Sequence, residues 1–471
     1  MQGVAERVYA ALPVPLQHTG VSAYGYMWRH RRMGGKFQAY RRGFVAREGF
    51  TSDQWEAWQT NRLREMISLA AEAPAYRRVF GEIGLARLDL DRFKLEDLER
   101  LPILDKDQVR QDPRSFCPGG APSLEARPYH TSGSTGTPIT VYHSGSDLRR
   151  WYALVDARYQ TVVGITYGMP RATFSGRRVE VDPDSSGPYY RFNRAEEQVY
   201  FSAYHLGPST VESYVEALWR HRPKWLTGYA GAIHELARLA LEHGPECPPL
   251  AAVVTSAEPV TPRLREDVSR VFGCDVTEEY GLIEGVCHVL ECAEGSLHSS
   301  PDAGIVEVVG EDGRPCEPGE VGEIVATGLV HQSQILLRYR TGDLGSWADG
   351  ACPCGRHMPI LRGIEGRVED VVLKPDGSRV GRLTSVARDL PGVVAMQFVQ
   401  EGPGELTGRV IFDGELPDDI RSEILRRLGD RIGNSMSIAV EQVEHLERTP
   451  RGKVRGVINR VDSQGPTAKA A

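Results

Sequence analysis

HTSGSTGTPIT, at residues 130–140, indicates the fold class more strongly than any other stretch of this chain. It reads His130-Thr131-Ser132-Gly133-Ser134-Thr135-Gly136-Thr137-Pro138-Ile139-Thr140. Glycines let the main chain approach a ligand closely, and successive amides and hydroxyls form a concavity that binds anions. This composition predicts a phosphate-binding loop, although a flexible surface loop has the same composition. It is not the phosphate loop of the P-loop NTPases, because no Gly-Lys-Ser/Thr sequence closes it.

Four further motifs follow in order along the chain. They are YGLIE at 280–284, YRTGDL at 339–344, GRVED at 366–370 and PRGKVR at 450–455. In this order and at these intervals, the five motifs resemble those of the adenylate-forming enzymes, which include acyl-CoA synthetases and luciferases. Within that superfamily the chain is most similar to the phenylacetate–CoA ligase branch and its CapK-like members. The resemblance extends from about Trp55 to Asp462.

The resemblance implies an α/β fold in two parts. Residues 1–366 form a large N-terminal adenylating domain of several subdomains, and residues 367–462 form a small α+β C-terminal lid domain. The swing of the lid takes place about a hinge at Glu369 or Asp370. The composition of residues 463–471 predicts a disordered tail.

The implied activity is ATP-dependent activation of a carboxylic acid, aryl or small, to an acyl-adenylate with release of pyrophosphate. By resemblance, Lys453 bridges the carboxylate and the α-phosphate, and Glu284 helps bind Mg²⁺. The residues that would bind ATP are Thr131, Ser132, Gly133, Ser134, Thr135, Gly136, Ser256, Ala257, Glu258, Pro259, Glu279, Tyr280, Gly281, Asp343 and Arg367. Those that would contact the acid are Tyr229, Gly231, Ser256 and Tyr280.

The sequence departs from the family pattern at two places, one in the loop expected to bind the phosphates of ATP and one in the loop expected to contact the acyl acceptor. The loop ends in Gly136-Thr137-Pro138, where the family usually has Gly-Lys-Pro, so another group would hold the leaving pyrophosphate or the grip would be weaker. DGSRVG at 376–381 replaces the Gly-x-Asn-x-Phe-Pro-like loop of phenylacetate–CoA ligases. Coenzyme A, an amine, a sugar and a carrier protein therefore all stay open as acyl acceptors. A non-catalytic family member in polysaccharide or secondary-metabolite synthesis is the alternative function.

Two pairs of soft ligands come from separate turns of the chain. Cys292 and His298 form one pair, and Cys352 and Cys354 form the other. A Cys₃His set closes a tetrahedral Zn²⁺ site with no position left for water, so we predict a structural zinc rather than four unrelated loop residues. Cys287, His288 and His357 are spare candidates. No His-Glu-x-x-His pattern supports a zinc hydrolase.

The bulk composition excludes several classes of function. The 471 residues carry a net charge of −7, with 41% hydrophobic and 25% charged residues. These values are typical of a globular protein of two or more domains and argue against a nucleic-acid binder. We expect no membrane span and no secretion signal, hence a cytoplasmic protein, with a homodimer as a candidate state. A basic stretch at 29–47 indicates a solvated helical face, or else a contact with a membrane surface or polyanion.

Helical and strand patterns alternate between residues 141 and 330. Helices are predicted at 52–80 (one or a pair), 147–162, 211–220, 230–243 and 262–272. A strand is predicted at 251–255, and antiparallel strands at 304–309 and 322–327. The C-terminal unit is expected to hold strands at 394–400 and 408–412 and a helix at 417–428.

Overall fold

The computed structural model describes residues 8–9, 11–85, 92–131, 138–177, 179–180, 182, 185–368, 370–376, 379–381, 383, 386, 390–449 and 453–461. The α-helices are α1 (Val14–Met33), α2 (Phe37–Ala46), α3 (Ser52–Ala70), α4 (Pro74–Glu82), α5 (Lys106–Gln111), α6 (Gly145–Arg158), α7 (Val211–His221), α8 (Ala230–His243), α9 (Pro262–Phe272) and α10 (Asp418–Ile432). The predicted tail at 463–471 lies outside these residues.

The β-strands of the large N-terminal part are β1 (Arg127–His130), β2 (Thr140–His143), β3 (Arg171–Ser175), β4 (Tyr190–Asn193), β5 (Gln198–Ser202), β6 (Trp225–Tyr229), β7 (Ala252–Ser256), β8 (Val276–Gly281), β9 (His288–Glu291), β10 (Leu297–Ser299), β11 (Gly304–Val309), β12 (Val321–Gly328), β13 (Tyr339–Trp347) and β14 (Ile360–Arg367). Those that follow are β15 (Val372–Leu373), β16 (Arg379–Val380), β17 (Val393–Gly402), β18 (Glu405–Phe412), β19 (Ser437–Gln442) and β20 (Val457–Asn459).

Twelve strands form one large sheet in the order β11-β12-β13-β14-β10-β9-β8-β7-β6-β3-β5-β4. The five strands β5, β3, β6, β7 and β8 are parallel, and the remaining pairs are antiparallel. A buried apolar cluster joins this parallel half to helices α7, α8 and α9. Since the carboxyl ends of parallel strands meet at one edge, that edge is where an α/β sheet places its ligand.

Local sequence accounts for the sharpness of several boundaries. Thr261 caps helix α9 by accepting a 3.2 Å hydrogen bond from the Leu264 amide, with Pro262 at the first helical position and Gly273 in the left-handed conformation beyond the end. Helices α8 and α9 begin and end where the sequence predicts them. The segment predicted at 52–80 forms a pair of helices, α3 and α4, and an antiparallel pair, β11 and β12, stands where it was expected.

The C-terminal unit has a core of its own. Strands β19, β18, β17 and β20 form a four-stranded sheet against helix α10, with Phe398 and Leu428 fully buried between them. This unit contacts the large domain through Arg263 and Asp413, whose side chains are 2.6 Å apart. The predicted α/β fold with a smaller C-terminal domain is confirmed, while the exact boundary between the two stays a prediction.

The basic stretch at 29–47 differs from a plain solvated face. Arg41 pairs with Asp156 at 2.7 Å, and Arg47 pairs with Asp302 at 3.1 Å. Arg32 is buried against Glu196. Because each partner is more than a hundred residues away along the chain, these ion pairs are invisible in the local pattern.

Candidate active site

Three neighbouring parallel strands bring predicted ligand-binding residues to one edge of the sheet. Tyr229, the last residue of β6, pairs with Ser256, the last residue of β7. Ser256 in turn pairs with Glu279 near the end of β8. The acid-contacting and adenine-contacting residues that the resemblance assigns to these positions are therefore adjacent, although they are far apart in sequence.

Gly228 allows strand β6 to lie close to its neighbour β3 at this point. Its φ is +143°, and a Cβ built there would lie 1.9 Å from the carbonyl oxygen of Phe174 on β3. Any side chain would therefore collide with the neighbouring backbone. The residue directly before Tyr229 must be glycine, and helix α8 starts at Ala230 immediately after it.

The turn after β7 holds Glu258 between two partners. Ala257, an exposed residue, has φ +70°, which is unusual for a residue with a side chain and is typical of functional turns. Glu258 Oε2 accepts a 2.7 Å hydrogen bond from the Gly231 amide, and Oε1 accepts one of 2.9 Å from the Val454 amide. One carboxylate thus joins the predicted acid site to the C-terminal unit, and Pro259 follows it at the surface.

Asp343, Arg367 and Tyr280 form a second group. Asp343 and Arg367 are paired across β13 and β14, and Arg367 Nε lies 3.5 Å from Asp343 Oδ1. The Tyr280 hydroxyl donates a 2.8 Å hydrogen bond to the other oxygen, Asp343 Oδ2. Burial and the charge of Asp343 raise the pKa of Tyr280 well above its usual value, so its hydroxyl stays protonated.

Glu284 lies in the turn after β8 and is buried. It accepts a 2.8 Å hydrogen bond from the Tyr339 hydroxyl. Burial raises the pKa of Glu284, while the positive charge of Lys106 and this hydrogen bond act in the opposite direction. A buried, ionised carboxylate is costly unless positive charge lies beside it. A metal ion at Glu284 would therefore lower the cost of burying this carboxylate.

Lys106 also belongs to this group, although no motif of the sequence contains it. A Cβ at Gly342, which has φ +73°, would lie 2.8 Å from Lys106 Nζ, so the ammonium lies directly against the YRTGDL turn. Its charge also acts on Glu284 and on Glu323. Lys106 is the first residue of helix α5 and belongs to no motif, which is why no sequence signal singles it out.

Lys453 comes from the C-terminal unit and faces this group. Burial and the positive charge of Arg367 lower the pKa of Lys453, and the carboxylates of Glu258, Asp343 and Asp370 oppose that shift. The Lys453 amide donates a 3.2 Å hydrogen bond to Thr449 Oγ1, while the Thr449 amide donates one of 2.8 Å to the Lys453 carbonyl. Burial raises the pKa of neighbouring Asp370 to about 6.

Glu279 has a different environment from the other predicted ATP-binding residues. Its carboxylate accepts a 2.8 Å hydrogen bond from the Tyr159 hydroxyl and lies 3.0 Å from His288 Nε2. His288 Nδ1 lies 3.2 Å from Ser300 Oγ, and both of these residues are buried. The side chain of Glu279 therefore supports strand β8, and its main chain is the part at the ligand edge next to Tyr280 and Gly281.

The base of the phosphate loop is closed by two hydrogen bonds. The Thr131 amide donates to the Ile139 carbonyl at 3.1 Å, and the Ile139 amide donates to Thr131 Oγ1 at 2.9 Å. Strands β1 and β2 continue from this point as an antiparallel hairpin. The predicted phosphate-binding residues Ser132, Gly133, Ser134, Thr135 and Gly136 lie outside the described residues, as does Glu369.

The four predicted metal ligands form one cluster. A donor atom from each of Cys292, His298, Cys352 and Cys354 lies within 4.8 Å of all the others. Cys292 Sγ and Cys352 Sγ are 3.6 Å apart, close to the roughly 3.8 Å between two sulfurs on a tetrahedral zinc. Cys354 Sγ lies 3.3 Å from His298 Nε2, and His298 Nδ1 lies 3.4 Å from the Met358 carbonyl. An outer partner of this kind orients a ligating histidine, so the donor set fits zinc.

The spare metal candidates lie elsewhere. Cys287 is fully buried and lies close to Asp343 and Glu284, whose charges with burial raise the pKa of its thiol. His288 is engaged with Glu279. Among the described residues, the cluster of Cys292, His298, Cys352 and Cys354 includes neither of these two residues, nor His357.

Comparison with known proteins agrees with this arrangement. The family described as AMP-binding enzyme matches residues 197–336, and the CapK C-terminal domain matches residues 372–460. Protein CapK of Staphylococcus aureus is 25% identical over 386 residues, covering 79% of this chain and 82% of CapK. The phenylacetate-coenzyme A ligase of Thermus thermophilus is 28% identical over 449 residues, covering 88% of this chain and 98% of the ligase.

Among solved structures, a 2-hydroxyisobutyryl-CoA ligase crystallised in its postadenylation state has the same fold. The TM-score is 0.67 at 21% sequence identity, with 88% of this chain and 92% of that chain covered. Two family domains in order, relatives along most of the chain and this shared fold point to one assignment. The chain belongs to the adenylate-forming superfamily, in the branch that contains CapK and the phenylacetate–CoA ligases.

Proposed function

We propose that this protein is an AMP-forming ligase that activates a small or aryl carboxylic acid with ATP. The acid carboxylate attacks the α-phosphorus, pyrophosphate leaves, and an acyl-adenylate forms; a thiol then attacks the acyl carbon and AMP leaves. The observation that carries the proposal is the meeting of Lys453 with Arg367 and Asp343, in a segment that the Val454 amide ties to Glu258 of the large domain. Lys453 is half-buried beside the carboxylates of Asp343 and Asp370, an environment that a solvent-facing lysine near a C-terminus would not have.

Each residue of this group has a chemical task in the proposed reaction. Asp343 would accept hydrogen bonds from the ribose hydroxyls, which a carboxylate at a strand position does well. Lys453 and Arg367 would neutralise the negative charge that builds up around the α-phosphate as the carboxylate approaches it. Positioned cations of this kind act through charge stabilisation in the transition state and require no covalent chemistry from the protein.

Glu284 is the residue we assign to Mg²⁺. Carboxylate oxygens suit this hard cation, which is bound in such sites by one or two carboxylates together with substrate phosphates. A bound Mg²⁺ would offset charge on the phosphates and relieve the burial of Glu284. The Tyr339 hydroxyl holds that carboxylate in place.

Lys106 is our candidate for the cation that the phosphate loop lacks. The loop has Thr137 where the family usually has lysine, and Lys106 supplies an ammonium against the YRTGDL turn. We propose that it contacts the phosphates of ATP. The position of its charge beside Glu284 supports this assignment.

We propose coenzyme A as the acyl acceptor. The supporting observation is that relatives aligned along 88% of this chain are named phenylacetate-coenzyme A ligases. An amine or a carrier protein is the second candidate, which the altered loop at 376–381 favours. A sugar is a further candidate. The non-catalytic alternative requires that the half-buried Lys453 and the buried Asp343 serve packing only.

We propose a structural zinc held by Cys292, His298, Cys352 and Cys354. Such an ion contributes folding free energy by fixing two turns to each other, and a closed Cys₃His set leaves no site for substrate. None of the eight cysteines, all of which lie in the described part of the chain, forms a disulfide, which supports a reducing compartment. A homodimer stays a prediction.

The experiment that tests the function is acid-dependent release of pyrophosphate with ATP, Mg²⁺ and hydroxylamine across aryl, alkyl and amino acids. Hydroxylamine traps the acyl-adenylate whichever acceptor is natural. Release with one class of acid, lost in Lys453→Ala, would establish adenylation; adding coenzyme A in place of hydroxylamine then tests the acceptor. Folded, zinc-loaded protein that releases no pyrophosphate with any acid would leave the non-catalytic alternative.

A further inference from the structure

Helix α1 has its polar residues buried and its large apolar residues exposed. Its buried positions are Gln17, Ser22, Gly25 and Arg32. The side chains of Leu16, Tyr24, Tyr26 and Met27 are 52%, 49%, 62% and 61% exposed. An ordinary surface helix turns its apolar stripe toward the core. This reversed pattern marks a contact surface, because proteins rarely expose clustered apolar side chains without a use for them.

Hydrogen bonds, rather than apolar packing, attach α1 to the edge of the large sheet. The Arg194 amide donates to Ser22 Oγ at 3.0 Å, and the Phe192 amide donates to His18 Nδ1 at 2.9 Å. Arg32 pairs with Glu196. Since strand β4 is the edge strand, α1 covers that edge with polar contacts, and its apolar side chains are left for the opposite face.

The exposed apolar side chains lie on one stripe with aromatic flanks. Leu16 and Met27 are three helical turns apart, so they point the same way, while Tyr24 and Tyr26 project to either side of Met27. Of the large apolar side chains that are exposed in the described part of the chain, five of eleven lie between Val8 and Met27. The stripe is therefore a local property of α1 and not of the whole surface.

Positive charge is concentrated in the same part of the chain. Residues 14–47 contain seven Lys and Arg residues and no Asp or Glu, in a chain with a net charge of −7. Three of the seven are used in the ion pairs described above. Arg29 and Arg31 donate to main-chain carbonyls, and Lys36 and Arg42 are exposed. Four positive charges in and directly after α1 are therefore not offset by an ion pair in the described residues.

We infer that α1 and α2 form a docking face for an anionic phospholipid bilayer. A helix that lies in the plane of the interface combines an apolar stripe, aromatic flanks and bordering cations, and its binding depends on both apolar burial and lipid charge. A second copy of this chain is a poorer occupant, because a two-fold contact would bring the two cationic faces together. No described helix is long and apolar enough to cross a bilayer, so the contact would be peripheral.

Binding of the full-length protein to vesicles tests this inference. We expect flotation with phosphatidylcholine vesicles that contain phosphatidylglycerol and none with phosphatidylcholine alone. Binding should fall as salt rises from about 50 mM to about 500 mM, because salt screens the charge attraction. The pair of substitutions Tyr26→Ser and Met27→Ser should weaken binding about tenfold or more, and so should Lys36→Glu with Arg42→Glu, since both apolar contact and surface cations contribute to binding of this kind.

Matched controls carry the same chemical changes elsewhere. Leu241→Ser replaces an exposed apolar residue on α8, and Arg314→Glu reverses a charge on a side chain that is 85% exposed. Both should bind like the parent protein, and thermal unfolding should show that every variant is folded. Absence of binding to the anionic vesicles, or binding unchanged in both α1–α2 variants, would overturn the inference. A dimer by light scattering that dissociates in the Tyr26→Ser, Met27→Ser variant would also overturn it by naming a second copy as the occupant.

Discussion

Glu258 of the large domain and the main-chain amide of Val454 in the C-terminal unit are joined by a 2.9 Å hydrogen bond. The same carboxylate accepts the Gly231 amide at 2.7 Å. It therefore holds the segment that carries Lys453 at a fixed place relative to the predicted acid site. A carboxylate is needed for this, because both of its oxygens accept.

Glu258→Gln should lower the rate of adenylation about tenfold while leaving the melting temperature of the protein almost unchanged. The amide keeps the shape but offers only one acceptor oxygen, so one of the two contacts is lost, at a cost of about 1.5–3 kcal/mol for a bond to a charged group. Acid-dependent pyrophosphate release measures the effect. Glu246→Gln, at an exposed carboxylate on the large domain, is the control; equal losses in both variants would contradict a docking role.

Adenylation should decline as the pH rises through a value below the ordinary lysine pKa of about 10.4. Burial and Arg367 lower the pKa of Lys453, so its ammonium loses its proton earlier than that of an exposed lysine. A pH–rate profile at saturating ATP and acid measures the decline. In Lys453→Arg the charge persists to high pH, so this decline should disappear even though the maximal rate is lower. An unchanged profile in that variant would mean that another group titrates.

Lys106→Ala should raise the KM for ATP about tenfold with a smaller effect on the KM for the acid. This follows from loss of a charged contact to the phosphates, which contributes about 1.5–3 kcal/mol. Steady-state kinetics with each substrate varied in turn measures the difference. Lys94→Ala removes an exposed lysine that pairs with Glu96 and should leave both constants unaltered. A rise confined to the KM for the acid would contradict the phosphate assignment.

Asp370→Asn should stabilise the protein above pH 6 and have little effect at pH 4. Burial raises the pKa of Asp370 to about 6, above the unfolded value of about 3.9, so the native state favours the protonated form. The stability that this preference contributes is present at low pH and is lost as the pH rises through about 6, by an amount of order 1–3 kcal/mol. Denaturant unfolding at both pH values checks the sign. Greater stability of the aspartate form at neutral pH would contradict it.

Purified protein should contain one zinc ion per chain, and Cys352→Ser should lose it together with several degrees of thermal stability. The four donors form one buried group, so removing one sulfur breaks a closed site. Elemental analysis and thermal unfolding measure the two effects. Cys274→Ser changes a thiol outside the cluster and should keep the metal. Full metal content in Cys352→Ser would show that the cluster is not the site.

The sequence predicts those parts of the site that lie in contiguous motifs. The motifs point to Tyr280, Asp343 and Arg367, and the structure brings these three residues into contact; their role in binding ATP stays a prediction. The four predicted metal ligands form one cluster, and the sequence points to them because Cys and His are rare and here come in pairs. In both cases the residues stand in short, recognisable stretches of sequence, although they contact residues that are far away along the chain.

Contacts made by ordinary residues could not be predicted in this way. Lys106 reaches the YRTGDL turn from more than two hundred residues away, with no pattern around it. The carboxylate of Glu279 is engaged by Tyr159 and His288, neither of which is near it in the sequence motif. The reversed face of α1 depends on which side of the helix meets strand β4, and that is a property of the packed sheet.

The metal cluster has a consequence that arises from its place in the strand order. Strands β9 and β10, which contribute or flank Cys292 and His298, lie between β8 with Tyr280 and β14 with Arg367. The cluster thus lies between the two parts of the sheet that carry the predicted ATP-binding residues Tyr280 and Arg367. If zinc fixes these two parts to each other, two preparations with equal folded fractions will differ in specific activity in proportion to their metal content. The fraction of active sites in a sample would then follow its zinc content more closely than its purity.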